Sequence, residues 1–275
     1  MELQVLVASM NQIDFSLIEQ MNIKTEAIIA NQTSHNKFEK KQYEFGTVTM
    51  ISTQTRGVGL NRNIALLASK ADIVLFADDD ICYYDGELKG VKEAFRNNPE
   101  ADIIIFSTDI SLGGEIIERR YNKRKRVHVW NSMKYGTYSI AARKSALLKA
   151  NLKFSELFGG GCHFSCGEDS IFIKSCFDRA LKVYTDPYVL GNRSKDSSSW
   201  FKGFNKKYLY DKGVLFSCLF PKLKHLIAVY FGFRMKNKTG FTVSENIVMI
   251  KKGIKNARNM VTYDEYCTSQ QKDSI

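Results

Sequence analysis

Apolar residues along the first hundred positions come in short runs that alternate with helix-spaced patterns. Leu3–Ala8, Glu26–Ala30, Thr47–Ile51, Ile73–Ala77 and Asp102–Phe106 are runs rich in strand formers, and each predicts a β-strand. Between them, Ile13–Gln20 suits a short helix, and Leu60, Ile64, Leu67 and Ala68 recur at helical spacing. Gly86–Asn97 reads as a further helix, ended by Asn98-Pro99. This alternation predicts an α/β fold with a mainly parallel sheet covered by helices on both faces. Ligands of such sheets lie beyond the carboxyl ends of the strands, so the polar residues that follow each strand are the first candidates for a site.

The pattern changes near residue 110. Between Ile116 and Trp130 lies a basic cluster of Arg119, Arg120, Lys123, Arg124, Lys125 and Arg126. Tyr135–Ala142 then predicts a strand, Arg143-Lys144-Ser145 a helix start, Gly159-Gly160-Gly161 a loop, Asp169–Ala180 a helix and Val183–Thr185 a last strand. Beyond residue 200 the chain is helical or irregular, basic and aromatic. Val214–Phe233 is its most apolar stretch, but Pro221, Lys222, Lys224 and His225 interrupt it, which a spanning helix would not tolerate. It reads as a buried helix pair, or as an amphipathic element lying on a membrane. With no internal repeat, low-complexity tract or linker, one α/β domain over residues 1–212 and a helical extension over 213–275 is the economical division.

Composition narrows this picture modestly. At 275 residues, 44% hydrophobic and 25% charged, the chain suits a globular protein with a full core rather than a disordered one. The net charge of +11 suits an anionic partner: nucleic acid, an anionic membrane surface or phosphorylated small molecules. The first apolar run is too short for a signal peptide and follows no basic segment, so a cytoplasmic location is expected and the six cysteines read as thiols. Cys162 and Cys166 have no second Cys/His pair at zinc-finger spacing, so a structural zinc is not expected.

Three segments carry candidate chemistry. Asp78-Asp79-Asp80 follows directly on the apolar run Ile73–Ala77. Residues two apart in extended chain point the same way, so Asp78 and Asp80 project together, an arrangement that suits a hard divalent cation bridging to phosphate. Helix capping is the plainer use of aspartate at such a turn. Upstream, Thr55-Arg56-Gly57-Val58-Gly59-Leu60-Asn61-Arg62-Asn63 brings glycines and arginines to a helix start, where backbone N–H groups favour phosphate. It is neither a P-loop nor a dinucleotide fingerprint. Downstream, Gly167-Glu168-Asp169-Ser170 opens a helix after the glycine loop. Its carboxylates could serve as a general base for a hydroxyl acceptor, or could simply satisfy the helix dipole.

Taken together, these residues resemble a family 2 glycosyltransferase of the GT-A fold, the Rossmann-like fold of nucleotide-diphospho-sugar transferases. Arg56–Asn63 followed by Asp78-Asp79-Asp80 is similar to that family's arginine-asparagine helix and DXD motif, and Gly167–Ser170 to its "ED" motif. Ser198-Ser-Trp-Phe201 resembles a segment of members that build bacterial surface polysaccharides. The resemblance covers about residues 1–215. It implies inverting transfer of a hexose-type sugar from a nucleotide donor, expected to be UDP-linked, to a glycan or lipid-linked acceptor. Asp169 would be the catalytic base, with Glu168 orienting the acceptor or loop. Asp80, with Asp78, would hold Mn²⁺ or Mg²⁺ on the diphosphate. Asp78 and Asp79, Arg56, Arg62 and Asn63 would lie at the nucleotide side, and Gly160, Gly161 and Trp200 at the acceptor.

Two departures bear on the donor pocket. The first strand ends Ala8-Ser9-Met10-Asn11 where the family has Pro-x-Tyr-Asn, and the second ends Asn31-Gln32 where the family has an aspartate pair. Ala8, Ser9, Asn31 and Gln32 would then form the base pocket, the two carboxamides offering both donor and acceptor to a pyrimidine edge. Gly191-Asn192-Arg193 holds no histidine where many members have a further metal ligand. The basic 119–126 segment and the aromatic carboxyl-terminal region suit peripheral attachment to an anionic membrane. Two competing readings are a metal-dependent nucleotidyltransferase, which lacks its lysine-containing signature after the first strand, and a nucleic-acid-binding protein, supported by charge alone. No nucleic-acid partner is expected.

Overall fold

The computed structural model describes residues 1–86, 88–129, 134–194 and 203–272. From the amino end come β1 (Leu3–Met10), α1 (Ser16–Gln20), β2 (Ala27–Gln32), β3 (Lys37–Tyr43), β4 (Gly46–Thr53), α2 (Val58–Ala68) and β5 (Ile73–Asp78). Next are β6 (Ile81–Tyr83), α3 (Leu88–Arg96), β7 (Ile103–Leu112), β8 (Glu115–Arg119) and the short β9 (Lys125–Arg126). β10 (Ile140–Arg143), α4 (Lys144–Lys149), α5 (Glu168–Asp178) and β11 (Val183–Ser194) complete the α/β region. Four helices follow: α6 (Lys206–Leu219), α7 (Lys224–Arg234), α8 (Val243–Asn256) and α9 (Tyr263–Lys272).

The strands form one sheet in the order β3-β4-β2-β1-β5-β10-β7-β11-β6, with β8 on β7 and β9 on β11. β4, β2, β1 and β5 run parallel, β10 is antiparallel to both its neighbours, and β11 is parallel to β7. This is the mainly parallel sheet that the alternation predicts, in the mixed, GT-A-like arrangement that the resemblance implies. Side chains alternate across it. Val5 and Val7 pack with Leu17 of α1 and Phe95 of α3, while Leu6 packs on the opposite face with Leu66 of α2 and Phe172 of α5. Full burial of each such side chain stabilises by about 1.5–3 kcal/mol.

Several elements differ from expectation. β3 is not among the expected strands: it is an edge strand on which Lys37, Lys40 and Lys41 are exposed. The strand expected at Tyr135–Ala142 begins only at Ile140, after a single 3-10 turn at Thr137–Ser139. β11 runs well beyond Thr185, through two irregularities, to Ser194. Its far end pairs with β6, and Gly191 is required there: a Cβ would come within 2.2 Å of the Cys82 carbonyl oxygen.

The apolar stretch Val214–Phe233 divides between two helices, and the four residues between them include Pro221. α6 buries Val214, Leu215, Phe216 and Leu219, whereas α7 buries only Ala228 and Gly232 and exposes Leu226, Tyr230 and Phe233. α6 and α8 cross at Gly213 and Gly253, where an added Cβ would lie 2.0 Å from the Ile250 or Tyr210 carbonyl oxygen. The boundary expected at residue 212 falls inside α6. Among the described residues no helix is long and apolar enough to cross a membrane.

Candidate active site

β1 and β5 are paired so that Ala8 lies beside Asp78, which brings their carboxyl ends to one edge of the sheet. The chain leaves β5 at Asp78 and re-enters the sheet at Ile81, so Asp79 and Asp80 form a two-residue turn at that edge. A cleft of about 580 Å³ opens there. Ala8, Ser9, Gln32 and the three aspartates line one side, and Gly160, Glu168 and Asp169 line the other.

Arg62 joins the two sides. It is 3% exposed, and its Nη2 lies 2.6 Å from Asp78 Oδ1. Its Nη1 lies 3.3 Å from Glu168 Oε1 and 3.6 Å from Asp169 Oδ1. The guanidinium also lies over the Phe154 ring, 5.4 Å from its centroid. Burial disfavours its charge, but Asp78, Asp169 and Glu168 outweigh that and hold its pKa above the usual arginine value. One arginine of α2 therefore fixes the strand-edge carboxylate and both helix-start carboxylates relative to each other.

The Asp169 carboxyl is pushed up to about 7, by burial first and by the neighbouring Glu168 charge second; Arg62 and the Thr137 hydroxyl oppose the shift. That hydroxyl donates to Asp169 Oδ1. A carboxylate with such a pKa can accept a proton near neutral pH, as a general base must. Asp79 is pushed up to about 6 by burial and by the Asp78 and Asp80 charges.

Asp80 is held differently. Arg193 Nε lies 2.9 and 2.8 Å from its two carboxylate oxygens, and Arg193 Nη2 lies 2.7 Å from Oδ2. The pairing of Arg193 with Ile81 across β11 and β6 brings this arginine beside the aspartate turn. Its guanidinium also stacks over the Tyr138 ring, 4.5 Å from the centroid. These residues do not fit Mn²⁺ or Mg²⁺ well. Both Asp80 oxygens face Arg193, Asp78 Oδ1 faces Arg62, and no group of three or more His, Cys, Asp or Glu side chains suited to a metal occurs among the described residues. A divalent ion needs six or so oxygen ligands and would have to displace a guanidinium here.

The other expected site residues divide. Ser9 and Gln32 reach the cleft, and Gln32 Oε1 also accepts from the Gly57 N–H. Asn31 turns away: its carboxamide bonds the Gln12 backbone on both sides and Ser52 Oγ, so it does not read a base from inside the cleft. Asn63 is likewise structural, with its carboxamide closing two bonds to the Phe154 backbone. Arg56 and Gly161 are both exposed and outside the cleft lining. The α2 start expected to cradle phosphate is already engaged, since Val58 N–H donates to the Gly160 carbonyl. Trp200, with the Ser198–Phe201 segment, lies outside the described residues.

Residues that motif reading missed complete the cleft. Arg193 was in view only as the absence of a histidine, and Thr137 and Tyr138 sit in what reads as an ordinary strand. Arg120, Lys134 and Lys212 also line the cleft. Lys212 belongs to α6, the helix that clamps the loop before α5. Asp211 accepts from Ser165 N–H and Oγ, Lys212 bonds the Cys166 thiol, and Leu215 packs beneath Gly167. The carboxyl-terminal helices thus help aim Glu168 and Asp169. No local signal marks Lys212, which is one basic residue among many.

Comparisons with known proteins bear on the same residues. A family model described as Glycosyl transferase family 2 matches residues 15–165, more than half of the chain. An uncharacterized glycosyltransferase of Haemophilus influenzae is 31% identical over 142 residues, a match covering 49% of this chain and 48% of that protein. The chain thus spans about half the length of that curated relative. Among solved structures, S. aureus TarS residues 1–349 in complex with UDP-GlcNAc superposes with a TM-score of 0.56 at 13% identity, covering 92% of this chain and 72% of that one. The longer S. aureus TarS gives 0.55 at 13% identity, covering 96% of this chain and 44% of that one. At such identity this likeness concerns the fold.

Proposed function

We propose that this chain, which belongs to glycosyl transferase family 2, is an inverting glycosyltransferase that moves a hexose-type sugar from a nucleoside diphosphate to an acceptor hydroxyl. The observation that carries the reading is the Arg62 bridge, which ties Asp78 at the nucleotide side to Glu168 and Asp169 at the acceptor side. Asp169 takes the acceptor proton as the acceptor oxygen bonds the anomeric carbon. The bond from that carbon to the diphosphate oxygen breaks, and its electron pair leaves with the nucleoside diphosphate. Glu168 orients the acceptor and the loop, with Gly160 and Lys212 beside it on the cleft wall. UDP is the expected nucleotide, since the fold is shared with a protein solved with UDP-GlcNAc.

The acceptor proposed is a glycan or lipid-linked oligosaccharide of surface-polysaccharide synthesis at the cytoplasmic face of a membrane. Its support is the exposed apolar face of α7 beside a basic cavity, an arrangement suited to an anionic lipid surface. The test of the reaction is a panel of nucleotide sugars scored by thermal shift, followed by transfer assays on wild type and Asp169→Asn. A donor that binds only the folded chain raises its melting temperature. Asp169→Asn is expected to bind that donor as wild type does and to lose about 10²–10⁴ in transfer rate. Near-full transfer by the variant would remove Asp169 as the base, and no stabilisation by any nucleotide sugar would remove the donor.

A further inference from the structure

Asp80 sits where a GT-A site presents a carboxylate to the donor diphosphate, and the group it presents here is a guanidinium. Arg193 is fixed from two directions, by the paired oxygens of Asp80 at 2.9, 2.8 and 2.7 Å and by the face of Tyr138 at 4.5 Å. It is 29% exposed and lines the cleft, so part of its planar fork remains open to a ligand. Arginine so held keeps a fixed charge and offers donors spaced for phosphate oxygens. Arg62, Arg120, Lys134 and Lys212 line the same cleft. Tyr138, on which Arg193 stacks, is itself buried against the sheet core, so the cation has little freedom to move.

We propose that Arg193 is the resident cation of the donor site, taking on Asp80 the place a divalent ion would take and meeting the diphosphate with its free edge. Asp80 then acts as a positioning residue that aims the guanidinium. As the anomeric carbon–oxygen bond breaks, the negative charge gathering on the departing diphosphate develops against a fixed positive charge. This needs no ion to enter or leave with each turnover. The inference rests on the nucleotide-diphosphate reading of the cleft.

The test is UDP binding, by calorimetry, to wild type, Arg193→Ala and Arg193→His, each with EDTA and with excess Mn²⁺. Wild type is expected to bind with similar affinity in both conditions. Arg193→Ala is expected to bind about 10- to 100-fold more weakly in EDTA, the loss expected for charge-assisted hydrogen bonds. Arg193→His removes the fixed charge and adds a metal-ligating side chain beside Asp80, and is expected to bind UDP better with Mn²⁺ than without. Circular dichroism melts separate lost binding from lost folding; if Arg193→Ala does not fold, the histidine variant and the wild-type EDTA comparison decide. Wild-type binding that needs Mn²⁺, or variant affinities in EDTA equal to wild type, overturns the role of Arg193 and leaves the donor reading standing. No binding of UDP or of any other nucleoside diphosphate in either condition overturns both.

Discussion

In the cleft, Arg62 and Arg193 are each tied to carboxylates and stacked on a ring, whereas on the outer side of α6, α7 and α8 the cations stand around an open cavity. That second cavity, about 590 Å³, is lined by Lys224, His225, Lys251, Lys255 and Arg258, and no carboxylate is among the described residues that line it. Leu226, Tyr230 and Phe233 are exposed on the adjoining helix, and Leu223 just before it. The two regions use the same residue types for different ends. On the proposed reading, a buried, geometrically fixed arginine would set distances between reacting groups. Solvated cations beside apolar side chains would attract an extended anionic surface without fixing any one contact.

The sharpest break of that contrast is Arg62→Met. It removes the partner of three carboxylates at once, and removing one side of a buried ion pair costs about 3–5 kcal/mol. Urea denaturation should show that loss at neutral pH, with part of it recovered in Asp78→Asn/Arg62→Met, where one stranded charge is also removed. A loss below about 1 kcal/mol, the value of exposed pairs, would mean that Arg62 is held no more tightly than a surface cation.

How far these roles can be read from sequence follows the same division. The parallel strands of the first hundred residues are legible because a two-residue period and a helical period are local properties. Asp78–Asp80 and Glu168-Asp169 are legible because each is a compact motif. The Arg193–Asp80 pair is not, since its partners are 113 residues apart and meet only through the pairing of β11 with β6. Asn31 and Asn63 mislead for a related reason. A carboxamide at a strand end or helix start can face a ligand or complete the backbone's hydrogen bonds, and both here do the second. Lys212 reaches the cleft from α6, a helix that the expected boundary after residue 212 cuts in two.

A smaller effect is expected on the outer face. Replacing Lys251, Lys255 and Arg258 with alanine should change folding stability little, because surface substitutions usually stay within about 0.5 kcal/mol each. Partition onto vesicles rich in anionic lipid should weaken about 100-fold, at about 1 kcal/mol per basic residue near the surface. Wild-type partition should itself fall with added salt. Equal binding of wild type to neutral and anionic vesicles would leave the apolar α7 face acting alone, and no binding to either would remove the membrane as the partner of this region.

The mildest perturbation is pH, and it separates the regions without a mutation. Asp169 is pushed up to about 7, so the transfer rate should rise with pH through about 7 and fall about tenfold at pH 6 as the base becomes protonated. Stability should move the opposite way. A carboxyl whose folded pKa lies above its unfolded value of 3.8 binds more protons folded than unfolded between the two, so the folded state loses stability as pH rises across that window. Asp79, pushed up to about 6, adds to the slope only at its lower end. In Asp169→Asn the decline between pH 6 and pH 7 should therefore disappear while the decline below 6 remains. Denaturation midpoints at half-unit pH steps test this directly. An unchanged slope above pH 6 in the variant would assign the titration to another group and leave Asp169 an ordinary ionised partner of Arg62.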